Sequence, residues 1–120
     1  MPEPNQTVLP DYQYQPPHAA QVVHLFSFQA PTDAAYLAGH FPDYPLVPGC
    51  AVLGWMVEAV KMLPATVSPG KHIRRVTNFK CIREIIPGTH LKLGIEIKSD
   101  KFICQIHADD QLMASAILNP

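Results

Sequence analysis

Residues 39–60 read GHFPDYPLVPGCAVLGWMVEAV. One histidine, His40, sits between a glycine and three prolines, Pro42, Pro45 and Pro48, and a Pro48–Gly49 pair then opens an almost wholly apolar run. Proline fixes φ and restricts the residue before it, so the spacing predicts a stiff extended loop from His40 to Pro48. The run after Gly49 is too long for an ordinary strand and too short to cross a bilayer. It reads as a helix over about residues 50–63, apolar almost all round, buried, and stopped before Pro64. A rigid histidine loop feeding a buried helix places a base beside the free backbone N–H groups of a helix start.

Outward from this centre the periodicity changes from helix to strand. Upstream, residues 21–30 alternate Val22, His24, Phe26 and Phe28 against Val23, Leu25 and Ser27, as in a strand covered on one face. Pro31-Thr32-Asp33 offers a helix start, and residues 33–37 suit one short turn. Residues 1–19 carry five prolines and several glutamines and read as an extended tail before a domain over residues 20–120. Downstream, residues 71–84 form a β-branched run that ends on the Pro87-Gly88 turn. Residues 91–98 alternate Leu91, Leu93, Ile95 and Ile97 with Lys92, Gly94, Glu96 and Lys98. Ser99-Asp100 and Asp109-Asp110 then turn the chain into strands over residues 102–108 and 112–118. A helix apolar on all sides needs a sheet curved around it, or a sheet on one side and a partner on the other. The fold class is α+β, an antiparallel curved sheet wrapped around one long helix.

Composition narrows the function. At 120 residues the chain makes one domain. Its 48% apolar and 16% charged content argues against a disordered or nucleic-acid-binding chain, and so little charge suggests surface covered by a second subunit. Three cysteines, Cys50, Cys81 and Cys104, without scaffold spacing read as reduced thiols in a cytoplasmic protein. No segment reads as membrane-spanning, and the histidines and cysteines lack metal-ligand spacing, so no metal or cofactor is expected. All nine Lys and Arg residues lie between Lys61 and Lys101. Lys71, Arg74, Arg75, Lys80 and Arg83 are candidates for a basic rim that attracts an acidic partner, against the plainer reading of solvated strand faces.

The H-F-P-x-x-P-x-x-P-G motif ahead of a buried helix resembles the signature of the hotdog-fold 3-hydroxyacyl-[acyl carrier protein] dehydratases. The similarity is strongest to the ApeI-like thioester dehydratases of aryl polyene synthesis, where a tryptophan also sits early in the helix. The Arg83-Glu84-Ile85-Ile86-Pro87-Gly88 run and the closing strand extend the resemblance to about residues 20–119. It implies the hotdog fold and a homodimer with its site at the interface, or a heterodimer with a sister hotdog subunit. The implied reaction is cofactor-free removal of water from a carrier-bound 3-hydroxyacyl thioester. His40 is then the base, the backbone N–H groups of Gly49 and Cys50 polarise the thioester carbonyl, and Phe41, Tyr44, Gly54 and Trp55 line the acyl tunnel. The resemblance places a helix acid at residue 54, where this chain has glycine. Glu58, one turn on and on the same face, is the candidate substitute, directly or through a water in the space at Gly54. Its other reading is a structural carboxylate paired with a tyrosine, an arginine or a backbone group. Two further functions stay open: thioester hydrolysis, and a non-catalytic acyl-binding subunit.

Overall fold

The computed structural model describes residues 10–17, 23–32, 47–64 and 72–120. The expected turn at 33–37, residues 40–46 of the histidine loop expected from His40 to Pro48, and residues 65–71 lie outside the described residues. Six strands and one helix follow in the order β1 (Gln13–Gln15), β2 (Val23–Gln29), α1 (Gly49–Met62), β3 (Arg75–Cys81), β4 (His90–Lys98), β5 (Lys101–Ala108) and β6 (Gln111–Asn119). They form one antiparallel sheet in the order β1-β2-β4-β5-β6-β3.

The alternation in the sequence is the reason each strand has a core side. Phe26 and Phe28 of β2, Leu91, Leu93 and Ile95 of β4, Phe102, Cys104 and Ile106 of β5, and Ala114, Ala116 and Leu118 of β6 are all buried. Turn chemistry fixes the register. Ser99 and Asp100 both adopt positive φ, which suits the two-residue hairpin between Lys98 and Lys101. Pro87 precedes Gly88 at φ +92°, and the Thr89 N–H donates to the Ile86 carbonyl at 3.1 Å, as in a type II turn. That turn is stitched to the end of β2, because Gly88 N–H donates to the Ala30 carbonyl and Ala30 N–H to the Thr89 carbonyl, both at 2.8 Å.

Helix α1 packs Ala51, Val52, Trp55, Met56, Ala59 and Val60 into the core. Sequence reading had it buried all round, and this is corrected. Leu53, Gly54, Val57 and Glu58 form a second, half-buried stripe, and Cys50, Lys61 and Met62 are exposed. The sheet covers one face of the helix and leaves the other half-covered, which is the hotdog layering for a single chain. Among the described residues no helix is long and apolar enough to cross a membrane.

Residues 10–17 differ from the tail expected over 1–19. Gln13–Gln15 pair with Leu25–Ser27, so the chain gains a sixth strand at the sheet edge. Tyr12 sets its ring edge-on against Phe26 and Phe28 at 5.7 and 5.2 Å and donates its hydroxyl to the Trp55 carbonyl at 2.9 Å. Tyr14 stacks on His24, and its hydroxyl lies 2.8 Å from His24 Nδ1. A tyrosine buries apolar area while its hydroxyl keeps a polar partner, so two tyrosines suffice to dock a strand this short.

His24 gives this docking a pH dependence. Burial pushes its imidazole below the ordinary 6.5. The unfolded chain therefore binds the proton more readily, and stability falls as pH drops below about 6.5, levelling once the folded imidazole is also protonated. The urea midpoint, measured from pH 8 to pH 5, should fall more steeply in the wild-type chain than in His24→Gln. Parallel curves would remove His24 as the cause.

Candidate functional site

The start of α1 is a set of donors without side-chain acceptors. Its N-cap is Pro48, extended at φ −68° and ψ 149°, with no side-chain cap and no acid in the first turn. The first N–H groups of a helix have no partner within the helix. Ala51 and Val52 N–H both turn back to the Pro48 carbonyl at 3.0 and 3.3 Å, and the N–H groups of Gly49 and Cys50 have no acceptor among the described residues. Unpaired N–H groups at a helix start, together with the positive end of the helix dipole, favour an acceptor or an anion there.

The segment is held in place by β3 and the residues after it. Val47 N–H donates to the Ile85 carbonyl at 2.9 Å, and Ile82 and Arg83 N–H donate to the Met113 carbonyl at 2.8 and 3.2 Å. A cleft of about 190 Å³ opens there, lined by Val47, Gly49, Val52, Cys81 and residues 82–85. Gly49 has a role that sequence reading did not give it. A Cβ there would lie 3.5 Å from Cys81 Sγ and 3.7 Å from the Phe79 ring, so its bare side faces β3. Partial burial raises the Cys81 thiol above its ordinary value and favours the protonated form; the buried Cys104 thiol is pushed up to about 12.

The other expected site residues are spread out. His40, Phe41, Tyr44 and Lys71 lie outside the described residues. Trp55 is fully buried in the core, edge-on to Phe28 at 5.5 Å, and does not line the cleft at the helix start. Gly54 lies half-buried on the second stripe of the helix with Glu58. Among the described residues Glu58 pairs with neither an arginine nor a tyrosine side chain: its Oε1 accepts from Lys61 Nζ at 3.1 Å, one helical turn on, in a partly exposed pair. Tyr12 lies close enough for the Glu58 charge to add to the burial that raises the Tyr12 phenol. Nine residues separate Gly49 from Glu58, about 13 Å along the axis. Reacting groups need approach to about 3.5 Å, so one chain does not bring its helix-start donors and Glu58 together.

The basic residues do not form one rim. Arg83 lines the cleft. Lys80 faces the outer side of the sheet, in a hollow with Gln105, Ser115 and Ile117. Arg74 and Arg75 stand at the far end of β3, about 25 Å along the strand direction from Arg83. Among the described residues no group of three His, Cys, Asp or Glu side chains could hold a metal ion.

Comparison with known proteins places these features in a group. The family model described as ApeI-like, ApeI dehydratase, matches residues 17–117. The chain is 32% identical over 92 residues to the 3-hydroxyacyl-[acyl-carrier-protein] dehydratase FabZ of Saccharophagus degradans, covering 67% of this chain and 63% of that protein. It is 30% identical over 95 residues to the protein of the same name from Lawsonia intracellularis, covering 69% of this chain and 62% of that one. The chain thus spans less than two thirds of the length of these relatives. A solved structure, the dehydratase heterocomplex ApeI:P from Xenorhabdus doucetiae, superposes with a TM-score of 0.75 at 22% identity, over 92% of this chain and 96% of the other. That likeness establishes the hotdog fold.

The helix-start geometry separates two roles of Gly49. Gly49→Ala should fold with stability within about 1 kcal/mol of wild type, because the new methyl meets Cys81 and Phe79 at ordinary contact distances. Gly49→Pro should also fold, since proline is favoured at the first helical position and Pro48 already has the extended ψ that a following proline demands. It deletes one N–H and adds a ring whose Cβ meets Cys81 and Phe79 as the alanine methyl does, so thermal unfolding and turnover of the two variants together report whether that donor acts in the reaction.

Proposed function

The chain belongs to the ApeI-like dehydratase family, and on that premise we propose that it removes water from a 3-hydroxyacyl thioester carried by an acyl carrier protein, giving the trans-2-enoyl thioester. The observation that carries the reading is the capless helix start, with Gly49 on the wall of a cleft and Cys50 next to it in sequence. Donors fixed where charge develops on a thioester oxygen lower the barrier to removing the neighbouring α-proton. His40, eight residues before the N-cap, is the proposed base, since an unperturbed imidazole titrates near neutral pH. The base takes the proton from C2, the C2=C3 double bond forms, and the C3 hydroxyl leaves as water with a proton from an acid.

The acid is the incomplete part. Gly54 has none to give, and Glu58 stands about 13 Å along the helix from the donors of its own chain. Among the described residues Glu84 is the carboxylate that lines the cleft; otherwise the acid comes from a second subunit, either Glu58 of a second copy or an acid of a sister hotdog chain. The half-covered stripe of Leu53, Gly54, Val57 and Glu58 supports a subunit packed on that side. So does the heterocomplex to which the fold is similar. Arg83, on the cleft, is the proposed contact for the acidic carrier. Phe41 and Tyr44 remain the proposed tunnel residues.

Incubation with a 3-hydroxyacyl carrier-protein thioester and mass spectrometry tests the reading: loss of one water supports it. Loss of the whole acyl group makes the chain a thioesterase, and an unchanged bound thioester makes it a binding subunit. His40→Ala should cost on the order of 10² to 10⁴ in rate while leaving the fold intact. Gly49→Pro should cost on the order of 10² to 10³ where Gly49→Ala costs little. Glu58→Gln should keep stability within about 0.5 kcal/mol, because its exposed pair with Lys61 contributes little. The same change should remove most turnover; full activity would take Glu58 out of the mechanism.

A further inference from the structure

We propose that Tyr12 is a positioning residue: its hydroxyl, bonded to the Trp55 carbonyl at 2.9 Å, sets where α1 lies along its own axis, and so where Gly49 stands on the cleft wall. Apolar packing alone fixes that setting weakly. Burial is non-directional, and among the helix residues turned into the core Ala51 and Ala59 carry only a methyl, while Met56 adapts its shape to its surroundings. The helix start has no side-chain cap to anchor it, and the Val47–Ile85 bond holds only the residue before the N-cap. A hydrogen bond weakens steeply with distance and angle, so it marks one axial position.

Tyr12 is held on the sheet side of that bond. The residues after it, Gln13–Gln15, pair with Leu25–Ser27, and its ring stands edge-on to Phe26 and Phe28. On the helix side the acceptor is a backbone atom, which cannot turn away as a side chain can. A carbonyl oxygen has two lone pairs, so the Trp55 oxygen takes the hydroxyl besides the N–H of the next helical turn. Burial, with the Glu58 charge added, pushes the phenol above its ordinary 10, so the hydroxyl stays a donor through neutral pH. Trp55 lies about 9 Å along the helix from Gly49, and a shift of a rigid helix at one end is carried to the other. The placement stands on geometry alone. Its consequence for turnover rests on the dehydration reading, because a donor misplaced by about 1 Å can cost about a hundredfold in rate.

Tyr12→Phe removes the hydroxyl and keeps the ring. Tyr14→Phe is its control, because it deletes the other β1 hydroxyl, which meets His24 of β2 and not the helix. Circular dichroism checks that both fold. Amide NMR of the full chain then reads the helix start directly. The Gly49 and Cys50 amide peaks should move in Tyr12→Phe and stay in place in Tyr14→Phe. Unmoved peaks in the first variant, or equal movement in both, overturn the proposal. Turnover of a 3-hydroxyacyl carrier-protein thioester gives a second reading. Tyr12→Phe should lower kcat roughly tenfold to a hundredfold with KM held, and Tyr14→Phe should change neither. In a Gly49→Pro background, where the donor is already gone, Tyr12→Phe should cost little more, and a loss of full size there overturns the proposal. A wild-type chain that removes no water defeats the dehydration reading alone, and the amide peaks then decide the role of Tyr12.

Discussion

The burial of one face of α1 against the inner face of the sheet is the interaction on which the other features depend. Trp55 sits at its centre with no exposed surface. Its ring meets Phe28 of β2, and its carbonyl takes the hydroxyl of Tyr12, so helix, sheet and N-terminal strand join at one residue. Removing a buried aromatic side chain of this size typically costs about 3–5 kcal/mol, a large share of the stability of a small domain. The helix start inherits its position from this packing. Pro48 and the Val47–Ile85 bond then fix the direction of its N–H groups.

Much of this is legible in the sequence because each element has one dominant physical signal. An apolar run after Pro-Gly gives α1, strict alternation gives β4, and the paired turn residues Ser99-Asp100 and Asp109-Asp110 give the β4-β5-β6 meander, with bounds close to those observed. The helix acid expected from the family is missing at Gly54 in the sequence itself, and among the described residues the carboxylate on the cleft is Glu84, outside the helix.

The features that were not legible share one cause: they depend on contacts distant in sequence. Strand β1 was masked by its proline- and glutamine-rich surroundings, although Tyr12 and Tyr14 carry the two-residue spacing of a strand face. What docks them is Trp55 and His24, 43 and 10 residues away. Strand β3 occupies only Arg75–Cys81 of the run expected from 71 to 84, and no proline or glycine marks the bulge inside it at Asn78. Gly49 reads as room for an acyl chain, yet its bare side faces Cys81 and Phe79, contacts that exist only once β3 folds back beside the helix. Helix α1 reads as buried all round because nearly every residue is apolar, and a sheet on one side covers only half of them.

That half-covered helix also gives the family membership its physical meaning in this chain. The stripe of Leu53, Gly54, Val57 and Glu58 and the cationic edge of β3 are two surfaces that one sheet and one helix leave unfinished. Apolar side chains at Leu53 and Val57 gain from being covered, and a long strand edge gains from being paired. The proposed chemistry has a matching gap: two N–H donors at one end of the helix, a carboxylate about 13 Å away, and glycine where the acid belongs. A second subunit that covers the stripe also carries its own side chains to the cleft. In the proposed reading, packing and catalysis are therefore completed by the same contact.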